Sequence, residues 1–167
     1  MNSKIFYTFV ALLLAGSIAF WIYMFQDSAE METEPREPLS ELYEGDITLT
    51  MYHGQGCECC VKWAEYLEDH GVEVESKLVS NPHEIKDENN IPGQLRSCHT
   101  GIVDGYVVEG HVHIEDIRRL LAERPDAIGL SAPGMPPNSP GMDQPVDYEY
   151  PIVLFDGENM SVYAVHN

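Results

Sequence analysis

Three of the four cysteines lie close together, at Cys57, Cys59 and Cys60, and the fourth is Cys98. Cys57 and Cys60 have the C-x-x-C spacing of dithiol exchangers, in which one sulfur attacks and the other resolves. Cys59 stands between them, where it would be a competing nucleophile. Clustered thiolates also suit a soft metal ion, chiefly Cu(I) or Zn(II). The cysteines therefore indicate either disulfide exchange or the binding of a soft metal.

The spacing of the sulfurs favours several copper ions over one zinc ion. A structural zinc site usually takes two pairs of ligands around one ion. Cys59 and Cys60 are adjacent, so on a helix their side chains point about 100° apart and do not converge easily on one centre. They could instead bridge two or more ions. We therefore predict a polynuclear Cu(I) site held by the thiolates of Cys57, Cys59, Cys60 and Cys98.

Four other residues are candidates for additional ligands. His99 follows the fourth cysteine, and His111 is preferred over His113 at the entry to a predicted helix. Met135 and Met142 lie in a loop rich in Pro and Gly. Thioether sulfur is a soft ligand for Cu(I), although methionine more often fills gaps in a core.

Hydrophobic patterning indicates an α/β domain that positions these residues. Residues 47–52 alternate as in a strand, Gly54 and Gly56 follow, and apolar residues then recur at helical spacing from Cys59 to His70. The later elements are a strand in residues 72–75 and 78–79, a short helix from residue 82, a hairpin in 100–109, a helix near 114–121, a loop in 131–147 and a hairpin in 150–165. The C-x-x-C lies where the first strand enters the first helix, which is typical of a thioredoxin-like domain with a central mixed sheet and flanking helices.

The N-terminal segment predicts export and a membrane anchor. Residues 5–25 carry no charge, and a helix of about 20 apolar residues spans the hydrocarbon core. Lys4 precedes the segment and acidic residues follow it, so the rest of the chain should face the periplasm. We therefore expect a signal-anchor transmembrane helix in residues 1–25, an acidic flexible linker in 26–46 and a copper-binding domain in 47–167. A cleavable signal peptide, which would release the domain into the periplasm, is the alternative.

The charge balance excludes one class of partner. The chain has 28 Asp and Glu against 9 Lys and Arg, a formal net charge of −19. Such a surface repels nucleic acid, which needs clustered cations. The sequence also lacks a phosphate-binding loop, G-x-S-x-G and H-E-x-x-H. We expect a metal-binding protein rather than an enzyme, with copper redox activity left open.

Several segments together carry a family resemblance. They are C-x-C-C with Trp63 and residues 95–100, 105–112, 118–121, 129–130, 133–136 and 139–142. This set resembles the family of exported bacterial metal-binding proteins that includes the copper-resistance protein CopG. The resemblance implies a thioredoxin-like fold, a cysteine-bridged copper cluster and a role in periplasmic copper handling, including a change of copper redox state. His113, where the family commonly has Pro, and the N-terminal anchor and acidic linker are departures.

These inferences predict a periplasmic Cu(I)-binding protein of copper resistance or homeostasis that stores, delivers or converts copper. Its partners would be copper ions, the inner membrane through residues 5–25 and other periplasmic copper-handling proteins. Two alternatives stay open. One is a thiol–disulfide oxidoreductase that uses Cys57 and Cys60, and the other is a structural zinc-binding domain.

Overall fold

The computed structural model describes residues 43–167. Its strands are β1 (Ile47–His53), β2 (Val72–Leu78), β3 (His99–Val103), β4 (Tyr106–Glu109), β5 (Gly129–Ser131), β6 (Tyr150–Phe155) and β7 (Met160–His166). Its helices are α1 (Glu58–Asp69), α2 (Pro82–Glu88) and α3 (Ile114–Glu123), with one 3₁₀ turn at Gly93–Leu95. In this part of the chain no helix has the length and apolar character needed to cross a membrane. The predicted anchor in residues 5–25, and the predicted linker up to residue 42, lie outside the described residues.

The strands form one seven-stranded mixed sheet in the order β2-β1-β3-β4-β5-β6-β7. The β1–β2 and β4–β5 pairs are parallel, and the other neighbouring pairs are antiparallel. The predicted α/β class, with a central mixed sheet and helices, is confirmed.

The first strand and helix form as their residue pattern predicts. Alternate residues of β1 point into the core, where Leu49 and Met51 are fully buried. Burying each such side chain contributes about 1.5–3 kcal/mol. Gly56 has φ +78°, in the left-handed region that glycine adopts readily. The chain then enters α1, whose buried face is formed by Cys60, Trp63, Ala64 and Leu67. The cysteine segment is thereby fixed between a core strand and a core helix.

The β3–β4 hairpin turns at Asp104 and Gly105. Both residues have positive φ, 46° and 87°, as the predicted type I′ turn requires. On its other side β3 pairs with β1, so that His53 lies opposite His99. This register places Cys98, the residue before β3, beside the end of β1 where the chain turns toward α1.

Two boundaries differ from the sequence prediction. β2 is continuous from Val72 to Leu78, so it includes residues 76–77, which the sequence pattern left unassigned, and it ends one residue earlier than predicted. β2 pairs only with β1 and is an edge strand, which tolerates polar side chains. The three-residue β5 was not predicted, and Ser131 belongs to it rather than to the loop. A segment this short has no detectable period, and the neighbouring β4 and β6 determine its conformation.

Candidate metal centre

The first turn of α1 carries three sulfurs in different environments. Cys57 is the N-cap residue of α1. It forms a disulfide with Cys60, with the two Cα atoms 5.3 Å apart. Cys60 is fully buried in the core, whereas Cys59 is a free, half-buried thiol. Adjacent cysteines therefore face different directions, with Cys60 toward Cys57 and the core and Cys59 toward the neighbouring strand.

Cys98 completes a group of four sulfurs. The Sγ atom of Cys59 lies 3.6 Å from that of Cys57 and 3.8 Å from that of Cys98. All four Sγ atoms lie within 4.8 Å of one another. A metal bonded to two thiolates at about 2.3 Å in tetrahedral geometry holds their sulfurs about 3.8 Å apart. The distances from Cys59 to its two neighbours therefore fit shared metal ligation.

Two imidazoles lie next to Cys98. The Nδ1 atom of His99 and the Nε2 atom of His111 are each 3.3 Å from the Cys98 sulfur. These three side chains form a second group whose ligand atoms lie within 4.8 Å of one another. Cys98 thus belongs both to the sulfur group and to a mixed sulfur–nitrogen group.

The backbone fixes the tautomer of His111. Its Nδ1 atom lies 2.7 Å from the carbonyl oxygen of Pro140. A carbonyl can only accept, so Nδ1 carries the proton and donates it. Burial lowers the pKa of His111, which keeps the ring neutral. The Nε2 atom therefore presents a lone pair toward Cys98, the orientation of a metal-ligating histidine whose other nitrogen is held by a carbonyl.

His99 is fully buried in contact with Trp63, with 4.3 Å between the ring centroids. Burial, followed by the nearby His111, lowers its pKa well below the usual range, so the imidazole is neutral. Its Nε2 atom has no hydrogen-bond partner among the described residues. The neutral ring is the form that binds metals.

Burial determines the protonation of the Cys98 thiol. It raises the pKa of Cys98 from 9.0 to about 12, and the neighbouring Cys59 adds to the effect. Cys98 is therefore a thiol at neutral pH. A metal that binds its sulfur must displace this proton, so affinity should increase with pH.

The loop between β5 and β6 packs against the sulfur-bearing helix. A Cβ atom on Gly141 would lie 2.7 Å from the backbone nitrogen of Trp63. Met142, the next residue, is half-buried, and Met135 at the other end of the loop is 43% exposed. The role of both methionines as ligands stays a prediction.

His113 belongs to a different cluster. Its Nε2 atom lies 2.6 Å from the hydroxyl of Tyr150, and its ring stacks on His166 with 3.8 Å between centroids. The His166 Nε2 atom lies 2.7 Å from a carboxylate oxygen of Asp116. His113 is not part of the two groups described above, and the preference for His111 over His113 as a metal ligand stays a prediction.

Sequence reasoning missed two charged residues that bind the segment around Cys98. Lys86 of α2 and Glu109 of β4 are both fully buried and form an ion pair of 2.5 Å. Glu109 ends a strand whose four residues are all buried, and this charge within an apolar strand was the available signal. Lys86 gave none, because a lysine in a short polar helix is expected to face solvent.

The fold and the site together define a mixed α/β protein with a thiol-rich candidate metal centre. A family model described as "Protein of unknown function, DUF411" matches residues 95–142. Two solved structures titled "Copper resistance protein copG", Form 2 and Form 1, are 34% identical to this chain. The matches cover 74% and 73% of this chain and 100% and 98% of those chains, with TM-scores of 0.70 and 0.69. No curated protein matches the chain.

The chain therefore belongs to the CopG family of copper-resistance proteins, and the resemblance inferred from the sequence is confirmed.

Proposed function

We propose that this protein binds several Cu(I) ions through the thiolates of Cys57, Cys59, Cys60 and Cys98, and acts in copper resistance or homeostasis. The observation that carries the proposal is the convergence of four sulfurs within 4.8 Å of one another. Thiolate is the ligand that soft Cu(I) prefers, and its sulfur can bridge ions. The similarity to copper-resistance proteins supports copper over zinc.

Copper binding by all four sulfurs requires reduction of the Cys57–Cys60 disulfide. An external dithiol supplies two electrons and two protons, which convert the disulfide into two thiols, and is itself oxidised to a disulfide. A phosphine supplies the two electrons and becomes a phosphine oxide, with the oxygen and the two protons coming from water. The thiols then lose their protons when they bind metal. The oxidised structure is thus the form with reduced copper capacity, and the reduced protein is the form that holds the cluster.

Further ligands are proposed beside the cysteines. His111 presents its Nε2 lone pair to Cys98, and His99 lies on the other side of the same sulfur. The loop that holds Met142 is anchored to this site through the Pro140 carbonyl. Met142 and Met135 would supply thioether ligands if the loop moves toward the ions.

We also propose that the domain is thioredoxin-like, anchored in the inner membrane through residues 5–25 and exposed to the periplasm. The order β2-β1-β3-β4, with a parallel β1–β2 pair and a C-x-x-C at the start of α1, supports the fold. The disulfide suits an oxidising compartment. Other copper-handling proteins of that compartment would be its partners.

The experiment is anaerobic loading of phosphine-reduced protein with Cu(I), followed by removal of free copper and elemental analysis. The background is a variant with all four cysteines replaced by serine, which retains the histidines and the acidic surface. More than one copper per protein above this background is the expected result, with near-ultraviolet Cu–thiolate absorbance. One copper or none would contradict the cluster. Purification with one zinc ion, and unfolding by a chelator, would favour the zinc alternative.

Thiol–disulfide exchange is a second candidate function. It is favoured by the Cys57–Cys60 disulfide, since Cys57 caps the helix N-terminus that stabilises a thiolate. Insulin reduction that survives in a Cys59→Ser/Cys98→Ser variant would support this function. If the cysteines serve copper, the wild-type protein should show little insulin reduction.

A further inference from the structure

A buried ion pair binds the segment of the candidate metal centre that carries Cys98. The Nζ atom of Lys86 is 2.5 Å from Oε1 of Glu109 and 3.0 Å from the hydroxyl of Thr100. Lys86 is 1% exposed and Glu109 is fully buried. The pair joins helix α2 to strands β3 and β4 across the segment that carries Cys98.

The carboxylate of Glu109 binds that segment on both sides of Cys98. Its Oε1 atom accepts a hydrogen bond from the backbone N–H of Ser97, at 2.5 Å. Its Oε2 atom accepts from the hydroxyl of Thr100, at 2.7 Å. Cys98 and His99 lie between these two anchor points, and Thr100 and Glu109 are also partners in the β3–β4 ladder. The position of the Cys98 sulfur is therefore tied to one buried carboxylate.

Folding stability gives no sufficient reason for this pair. Taking two charges out of water is costly, and replacing such a pair with apolar residues of similar size is often neutral or stabilising. The hydrogen bonds to Ser97 and Thr100, however, would be lost in an apolar replacement. The pair also adds no net charge beside thiolates that would repel an isolated buried carboxylate.

We propose that Glu109, held and neutralised by Lys86, is a positioning residue that fixes Cys98 at ligand distance from Cys59. Cys59 and Cys98 are the two free cysteines among the described residues, and their sulfurs lie 3.8 Å apart. Movement of residues 97–98 would lengthen this spacing first. The proposal deepens the proposed copper function and rests on it for its biological role.

The test first measures geometry without copper. In a Cys57→Ser/Cys60→Ser background, Cys59 and Cys98 are the two remaining thiols, and their rate of disulfide formation under a mild oxidant reports their spacing. The two matched variants are Lys86→Met/Glu109→Gln and Lys86→Met/Glu109→Leu. Both remove the charges and keep the volume. Only Gln retains an oxygen that accepts from Ser97 and an amide that bonds to Thr100.

We expect the Gln variant to form the disulfide at close to the background rate and the Leu variant to form it about tenfold more slowly, because Ser97 N–H loses its partner. Equal rates in two folded variants would overturn the proposal. If the Leu variant does not fold, a Thr100→Val variant in the same background tests the proposal instead. This variant removes the hydrogen bond from Thr100 to Glu109 and leaves the Lys86–Glu109 ion pair in place. It should slow the reaction about threefold, and an unchanged rate would overturn the proposal.

Copper loading then separates the two proposals. With all cysteines present, the Leu variant should bind fewer Cu(I) ions than the Gln variant at equal folded fraction. If wild-type protein takes up no copper while the disulfide rates still differ, the copper function fails and the positioning role of Glu109 stands. If wild-type protein loads copper and the two variants load it equally, the positioning role fails alone.

Discussion

The sulfur of Cys59 lies 3.8 Å from the sulfur of Cys98, although the two residues are 39 positions apart in the chain. The antiparallel pairing of β1 with β3, with His53 opposite His99, brings these segments together. The site therefore exists only in the folded domain.

Cu(I) should raise the thermal unfolding midpoint of the reduced protein. A ligand that binds only the folded state increases the free energy of unfolding in proportion to the logarithm of the ligand concentration.

The redox state of Cys57 and Cys60 should control copper capacity. We expect phosphine-reduced protein to bind more Cu(I) than the disulfide form, because reduction frees two of the four sulfurs. The measurement is copper per protein after anaerobic loading, with and without prior reduction. A Cys57→Ser/Cys60→Ser variant kept anaerobic throughout, so that Cys59 and Cys98 stay free thiols, is the control, and its capacity should not depend on the reductant. Equal capacity of the oxidised and reduced wild-type protein would show that these sulfurs are not ligands.

Replacement of His111 by Asn should weaken Cu(I) binding by about tenfold or more. The Asn amide nitrogen takes the place of Nδ1 and can still donate to the Pro140 carbonyl, so the loop stays anchored, but the lone pair of Nε2 beside Cys98 is lost. The affinity is measured by competition with a chromophoric Cu(I) chelator. His70→Asn is the matched control, because His70 is an exposed histidine whose Nδ1 also bonds to a backbone carbonyl. A His111→Asn variant with the affinity of the control would exclude His111 as a ligand.

Most of the fold could be predicted because its signals are local. The Asn81–Pro82 start of α2 is an example, since the Asn81 side chain accepts from the His83 N–H as a capping residue should. Asp104-Gly105 is another, because only a few residue pairs suit a type I′ turn. β5 escaped prediction since its three residues form a strand only between two neighbours already in place.

The candidate site was predictable in its residue types and less so in its arrangement. The C-x-C-C spacing indicates thiol chemistry, but it cannot show that Cys60 turns into the core while Cys59 faces Cys98. The same spacing left a disulfide and a metal open. Lys86 and Glu109 come from two other elements and bind residues on either side of Cys98, so their pairing depends on tertiary structure alone.

Acid should destabilise the folded protein through His113. Burial, followed by the nearby His166, lowers the pKa of His113 from 6.5 to about 4. In the unfolded chain this ring takes up a proton below about pH 6.5, whereas in the folded protein it does so only near pH 4. Its contribution to stability is therefore complete above pH 6.5 and is lost as the pH falls toward 4. The lowered pKa values of His99 and His111 act in the same direction.

The measurement for His113 is urea unfolding of metal-free protein at about pH 7 and about pH 5. We expect His113→Gln to lose less stability than wild type between these two conditions, because the variant has no ring to protonate. His83→Gln, which replaces an exposed histidine, should keep the wild-type loss. If His113→Gln loses as much stability as wild type, the buried imidazole is not responsible for the acid sensitivity.

The close contact between the β5–β6 loop and α1 predicts different costs for two glycine substitutions. Gly134 and Gly141 both have positive φ, 77° and 81°, so Ala at either position is strained. A Cβ atom on Gly134 would meet nothing within 4 Å, whereas one on Gly141 would lie 2.7 Å from the Trp63 nitrogen. Gly141→Ala should therefore lower the free energy of unfolding by about 1–3 kcal/mol more than Gly134→Ala, as overpacking does. Urea unfolding of the reduced, metal-free variants gives the difference. Equal stability of the two variants would mean that the loop does not pack on Trp63. The Gly141→Ala substitution should also weaken copper binding, because displacement of the loop moves the Pro140 carbonyl that orients His111.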